Sequence, residues 1–293
     1  MRHVYECSMR RADLHPGGMV NNVMYVDYLQ EARLDLLRQH GSSPSPRPGE
    51  GLVVVRTVID YLSPLRLSQA PLSVATWVTE VRAASFTLGY EIYTCPEGAT
   101  EPLVHARAST VLTPFVFAEG RPRRLSSEER DRLTPGIEPS PIDDARGPRP
   151  PAWGPEGSER RSVHVRFSDV DILGHVNNVK YVDFVQDAQT AFMLGVFVEA
   201  AVEGHVDLVV AHTELDYLGQ MDLRSEPYDV RTRVAAVGTT SVTFDVEIRD
   251  AERVMARGRI VAVNLDPEGD HPLPVLPHHR EIFERRMREA LVE

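Results

Sequence analysis

Two cysteines, Cys7 and Cys95, in 293 residues leave no disulfide framework, and the expectation is a reducing, cytoplasmic setting. No apolar run approaches the length of a membrane span, and the opening MRHVYECSMR lacks the apolar centre of a secretory leader. Basic residues are in deficit, 32 against 43 acidic ones, for a formal charge of -11. Such a surface repels nucleic acid and anionic membranes, and any anionic ligand would need a local basic patch. There is no glycine-rich phosphate loop and no G-x-S-x-G serine elbow. Neither cysteine belongs to a Cys–His arrangement, so both are expected to be inert. The pair His278-His279 lacks companions at metal spacing, so no metal is expected.

What the chain does contain is a repeat. VNNVMYVDY (20–28) returns as VNNVKYVDF (176–184), with Asn21 meeting Asn177 at an offset of 156. The same offset carries Asp13 to Asp169, Gly18 to Gly174, Tyr25 to Tyr181 and Asp60-Tyr61-Leu62 to Asp216-Tyr217-Leu218. It falls to 150 where His105-Ala106-Arg107 meets Met255-Ala256-Arg257, which places a six-residue-longer hairpin in the first copy around CPEGATEP. A register held this far is a duplication. The copies are expected at 1–134 and 159–293. Between them, 135–158 is rich in proline and reads as an extended linker. Two charged segments, LSSEERDRL (125–133) and HHREIFERRMREAL (278–291), read as solvated helices.

In the second copy SVHVRFS alternates like a strand, and DVDILGHV reads as a turn. A helix follows whose buried stripe is Tyr181, Phe184, Val185, Ala188 and Phe192, with Asn177 as N-cap and Gly195 as C-cap. Four strand-like runs come next. The first copy repeats this order, its helix running from Asn22 to His40 and capped by Gly41. One strand, one long helix and four antiparallel strands make an α+β unit in which the helix lies against a curved five-stranded sheet.

The chemistry-bearing stretch is DVDILGHVNN (169–178), two carboxylates ahead of a glycine turn and a helix N-terminus. First-turn N–H groups lack intrahelical acceptors and carry partial positive charge, so they would polarise a carbonyl and stabilise the oxyanion formed on attack. A carboxylate nearby could activate water or attack directly. The bland reading stands beside this: an Asp before a turn forms an Asx-turn, and Asn177 simply caps the helix.

FSDVDILGHVNNVKYVDFVQDA and VVVRTVIDYLSPLRL (53–67) resemble the 4-hydroxybenzoyl-CoA thioesterase-like branch of the hotdog superfamily over most of both copies. The resemblance implies two tandem hotdog domains paired as a pseudo-dimer, with active sites at the pairing interface. It implies Asp171 as catalytic base or nucleophile, the backbone N–H of Asn178 as the carbonyl-polarising donor, and Asp169 as support for the turn. His175, Asn177 and Tyr181 are the candidates for substrate contact. His175 has a second reading, as a surface turn histidine. The first copy departs from the pattern, with His15 in place of Asp171 and Met19 in place of His175, so a degenerate second site is expected at His15 and Asn22. His212 and Glu214, alternating with apolar residues along a strand, either line the pocket or face solvent, and solvent is the preferred reading.

The activity implied is hydrolysis of an acyl-CoA or acyl-carrier-protein thioester. Hydration or dehydration of acyl thioesters ranks lower, because the four-residue step from Asp171 to His175 contains neither Asn nor Pro. A silent acyl-CoA-binding module is the third reading. No cofactor is implied, since carboxylate, water and helix end suffice, and a homodimer of the fused chain is allowed but not required.

Overall fold

A computed structural model describes residues 2–15, 17–39, 49–68, 70–142, 153, 158–200, 207–266 and 271–290. The chain divides into two compact units, Met1–Ala145 and Arg146–Glu293. The first contains β1 (His3–Cys7), α1 (Asn22–Gln39), β2 (Glu50–Tyr61), β3 (Leu72–Val81), β4 (Phe86–Thr94), β5 (Leu103–Val116), β6 (Arg121–Pro122) and α2 (Ser127–Leu133). The second contains β7 (Glu159–Val163), α3 (Asn178–Ala200), β8 (Asp207–Tyr217), β9 (Tyr228–Val237), β10 (Ser241–Asp250), β11 (Arg253–Leu265) and α4 (Pro277–Glu289).

Within the first unit the strands lie in the order β1-β3-β4-β5-β2, with every neighbouring pair antiparallel and β6 added to β5. Within the second the order is β7-β9-β10-β11-β8, again antiparallel throughout. The duplication extends to irregularities. A bulge interrupts β5 at His105, opposite Ile92 and Tyr93, and β11 at Met255, opposite Ile248 and Arg249, the same place in each copy. Bulges bend a strand, and here they help each sheet curve around its helix. The insertion around CPEGATEP is the β4–β5 loop, and its counterpart between β10 and β11 is a tight turn with Ala251 at φ 49°.

The long helices form because their apolar residues recur on one face. That face buries Val26, Leu29 and Ala32 in α1, and Val182, Val185 and Phe192 in α3, against their own sheets. Each such side chain contributes about 1.5–3 kcal/mol when fully buried. Among the described residues no helix is long and apolar enough to cross a membrane.

Three expectations are corrected. Gly195 does not end its helix, because α3 continues to Ala200 and buries Val196 completely. Burying that valine outweighs the roughly 1 kcal/mol that a mid-helix glycine costs. The expected Gly41 cap lies outside the described residues. The charged segment after β11 is not a solvated helix: α4 turns His279, Ile282 and Phe283 inward, and Phe283 packs edge-on to Phe244 at 6.2 Å. Nor is the proline-rich segment simply a spacer. Glu138 N–H donates to Val78, Trp77 Nε1 donates to the Pro139 carbonyl at 3.0 Å, and Ile142 is buried. Pro141 sits so close to Gly89 that a Cβ there would come within 2.7 Å of its ring, so glycine is required at that contact. Further on, Trp153 is buried with the Arg233 guanidinium 4.8 Å from its ring.

Candidate active site

The stretch before α3 folds as a small hairpin with a glycine tip. Asn177 N–H donates to the Asp169 carbonyl and Asp171 N–H to the His175 carbonyl, both at 2.9 Å. Gly174 closes the tip by donating to the Asp171 carbonyl at 3.0 Å, with a φ of 85° that a side chain would strain. The turn is anchored from outside by Val176 N–H, which donates to the Met221 carbonyl. Asn177 caps α3, its Oδ1 accepting Val179 N–H at 3.0 Å. Lys180 N–H is taken by the Asn177 carbonyl, which leaves Asn178 N–H with no acceptor among the described residues. That N–H is the open donor at the positive end of a 23-residue helix.

Asp171 is half-buried, and its Oδ1 accepts Leu173 N–H at 2.8 Å, an Asx-turn. Its second oxygen makes no hydrogen bond among the described residues, so the carboxylate both shapes the turn and keeps an open acceptor. Asp169 is buried and faces away from that task. It accepts Arg166 N–H at 2.7 Å, and the ammonium of Lys180, the single lysine in the chain, stands 3.7 Å from its other oxygen.

With this geometry in view, the family match is decisive. Residues 9–145 and 165–283 match the thioesterase-like superfamily. The chain belongs to that superfamily. Membership puts it in the class of hotdog-type thioester hydrolases, and the two α+β units are its two hotdogs. A curated relative, the chloroplastic acyl-acyl carrier protein thioesterase ATL3 of Arabidopsis thaliana, is 29% identical over 133 residues, covering 45% of this chain and 67% of that protein. Two solved structures share the fold over nearly the whole length. The 12:0-ACP thioesterase of Umbellularia californica superposes with a TM-score of 0.75 at 14% identity, covering 90% of this chain and 94% of that one. An acyl-ACP thioesterase of Bacteroides thetaiotaomicron gives 0.66 at 15% identity, covering 89% and 97%.

The other residues singled out in this thioesterase-like chain are placed as follows. His175 does not touch the Asp171 carboxylate by any contact described; its Nδ1 lies 3.1 Å from Asp222 Oδ1. Tyr181 has its hydroxyl fully engaged, donating to the Gly219 carbonyl and accepting Met221 N–H, each at 2.9 Å. It is a buried strut that fixes the loop behind the turn, and burial pushes its phenol pKa well up. Asn177 is spent on the cap. His212 and Glu214 are half-buried rather than facing open solvent. Cys7 is half-buried, and burial raises its thiol to about 11, which keeps it protonated and unreactive near neutrality. Among the described residues no cluster of His, Cys, Asp and Glu could hold a metal.

The first unit builds the same hairpin with the same bonds: His15 N–H to Met19, Gly18 N–H to His15, and Asn21 N–H to Asp13. Asn21 Oδ1 caps α1 through Val23 N–H at 3.0 Å, and Asn22 N–H has no acceptor among the described residues. What differs is the side chain at the place that Asp171 takes in the second unit. His15 Nδ1 accepts Gly17 N–H at 2.8 Å, taking over the structural half of what Asp171 does. A neutral imidazole accepting at Nδ1 carries its proton on Nε2, so its outward nitrogen is a donor and not a base. A Cβ at Gly17 would meet the His15 ring, so a side chain there would displace the imidazole from this bond.

Asp222 and Lys180 escaped the sequence reading. Both were detectable by comparing the copies: Lys180 stands where the first has Met24, and Met19 and Arg66 in the first correspond to His175 and Asp222 in the second, a paired change across two contacting segments. Two exposed apolar side chains beside Asp171, Phe167 and Ile172, had no signal of their own.

Proposed function

We propose that the second unit carries out thioester hydrolysis, with Asp171 as the reacting carboxylate and the Asn178 N–H as the donor to the thioester carbonyl. The observation that carries this is the contrast at one position of a turn whose backbone hydrogen bonds are the same in both units. Both units present an open helix-start N–H, but only the second pairs it with a carboxylate that retains an unbonded oxygen. Hydrolysis needs both parts: the N–H gains strength as the carbonyl becomes an oxyanion, and the carboxylate either draws a proton from water or attacks the carbonyl carbon. His175 and Asp222 brace the turn, and His15 serves structure in a unit without its own reaction centre.

The substrate we infer is an acyl group on an acyl carrier protein or on CoA. The names of the curated relative and of the two full-length structural neighbours support the carrier-protein form. Thiol release from a matched panel of acyl-carrier-protein and acyl-CoA thioesters of varied length tests the reading. The expected outcome is turnover on at least one series, lost by about 10²-fold or more in Asp171→Asn. Normal turnover in that variant would remove Asp171 from the mechanism, and hydration of crotonyl-CoA without thiol release would replace hydrolysis with hydratase chemistry.

A further inference from the structure

The interior of the first unit contains a cation where a hydrophobic core is expected. Arg33 lies on the inward face of α1 and is only 7% exposed, yet it makes no ion pair among the described residues, and the group it faces is the hydroxyl of Tyr90. Beneath it the sheet is unusually polar. On β4 the side chains of Leu88, Tyr90 and Ile92 face the helix, all with no exposure. Tyr90 is paired with Thr76 on β3 and Ala108 on β5, and Thr57 on β2 is paired with Thr110, two residues along from Ala108. Cross-strand partners and residues two apart share a face, so these four hydroxyls all look toward α1.

The hydroxyls of Tyr90, Thr76, Thr110 and Thr57 are buried, and none has a hydrogen-bond partner. Arg33, Thr76 and Thr110 are the neighbours of the Tyr90 hydroxyl and favour its charged form against the burial that raises its pKa, and none of them brings a negative charge to the guanidinium. Buried polar groups in native proteins are normally satisfied, and a buried cation normally has a counter-charge. The second unit shows what the same layer looks like without the cation. There Gln189, Val246 and Ile260 replace Arg33, Tyr90 and Thr110, while Thr213 and Thr232 match Thr57 and Thr76. Threonines without partners are therefore common to both layers. The guanidinium, the phenol and the third threonine belong to the first alone.

We propose that this cluster is a binding site for a small monoanion, a carboxylate, held by the Arg33 guanidinium with Tyr90 and Thr110 as hydroxyl donors. A planar two-oxygen group matches the guanidinium fork, and a single cation balances one negative charge rather than the two of a phosphate. The carboxylate is that of a free short-chain acid, so the proposal does not rest on the thioesterase reading above.

Thermal unfolding of the full chain in sodium acetate, against sodium chloride at equal ionic strength, reads the site without any catalysis. Saturating acetate is expected to raise Tm by on the order of 5 °C. Arg33→Gln, which installs the residue already accommodated at this place in the second unit, should abolish the shift, and Tyr90→Phe, which keeps the ring, should reduce it. An acetate shift lost in Arg33→Gln bears the proposal out, and stands even if no thioester is hydrolysed. An equal shift in chloride, a shift surviving in Arg33→Gln, or no shift in acetate overturns the proposal and leaves water as the filler of the cluster.

Discussion

Both units hide an aspartate beneath the start of their long helix, and they steady it by different chemistry. In the first, the Tyr28 hydroxyl donates to Asp13 Oδ2 at 2.7 Å alongside Arg10 N–H. In the second, the phenol has become Phe184 and the neighbour one turn back has become Lys180, whose ammonium is shared between Asp169 and Asp183. A neutral donor gave way to a cation while the backbone of the turn stayed the same. The lesson is that the turn, and not any one partner of its aspartate, is what both units retain. On that retained scaffold one position differs in chemistry, His15 in one unit and Asp171, the carboxylate proposed to react, in the other.

The largest test of that divergence is kinetic. Asp171→Asn should cost about 10²-fold or more in kcat, whereas His15→Ala should leave kcat within a few-fold of the parent. A comparable loss with His15→Ala would mean that the first unit shares the chemistry, and the contrast between units would collapse.

The outward sheet faces differ as sharply. Glu247 on β10 is almost wholly buried and is held by Arg257 at 2.6 Å and Arg249 at 3.3 Å. Its counterpart Glu91 on β4 keeps a side chain 21% exposed, paired with Arg2 at 2.7 Å and Arg107 at 3.1 Å. Glu247→Ala leaves two half-buried guanidinium groups unbalanced and should cost about 3 kcal/mol. Glu91→Ala, in a wetter setting, should cost about 1 kcal/mol or less and shrink further with salt. Urea unfolding of both variants measures the pair, and equal costs would show that the two faces are energetically alike. A smaller effect follows from the aspartate clamp. Tyr28→Phe removes a donor to a buried carboxylate and should cost about 1–3 kcal/mol, and Lys180→Met should cost less because Lys180 is a third exposed.

The smallest effect separates the terminal helices by pH. Burial lowers the pKa of His279 on α4 from its ordinary 6.5, with the neighbouring His278 adding to the shift. A depressed histidine binds its proton more readily when unfolded, so its contribution is intact above 6.5 and is lost as pH falls below that value. On α2, hydrogen bonding to Arg123 lowers Glu129 from 4.5 to about 2, so its contribution is intact above 4.5 and is lost between there and about 2. Hydrogen exchange should therefore show α4 loosening first on acidification and α2 later. Loosening of both together would mean that neither group controls its helix. His279→Phe should remove the first step alone.

Much of this was open to reading from the residues. The duplication, the strand–helix–four-strand order and the change from Asp171 to His15 all depend on local pattern and register, which a sequence displays directly. Other features were hidden. Gly195 looked like a stop because propensity is local, but the burial of Val196 carried the helix past it. Tyr181 looked available to substrate because its place on the helix face says nothing of where its hydroxyl ends. The linker looked detached because composition does not show that Trp77 and Gly89 leave a seat for Pro139 and Pro141.

The amino-acid order by itself determined two α+β copies, their long amphipathic helices and a carboxylate two residues into a glycine turn, since each follows from short-range periodicity and backbone sterics. Tertiary structure decided which groups were left open. Hydrogen bonds between distant segments consumed the Tyr181 hydroxyl, drew His175 to Asp222, and left the Asn178 N–H and one Asp171 oxygen unengaged among the described residues. They also enclosed Arg33 without a counter-charge. Whether a polar group is satisfied depends on what the folded chain brings within about 3 Å of it, and that distance is set only when the sheets close around their helices.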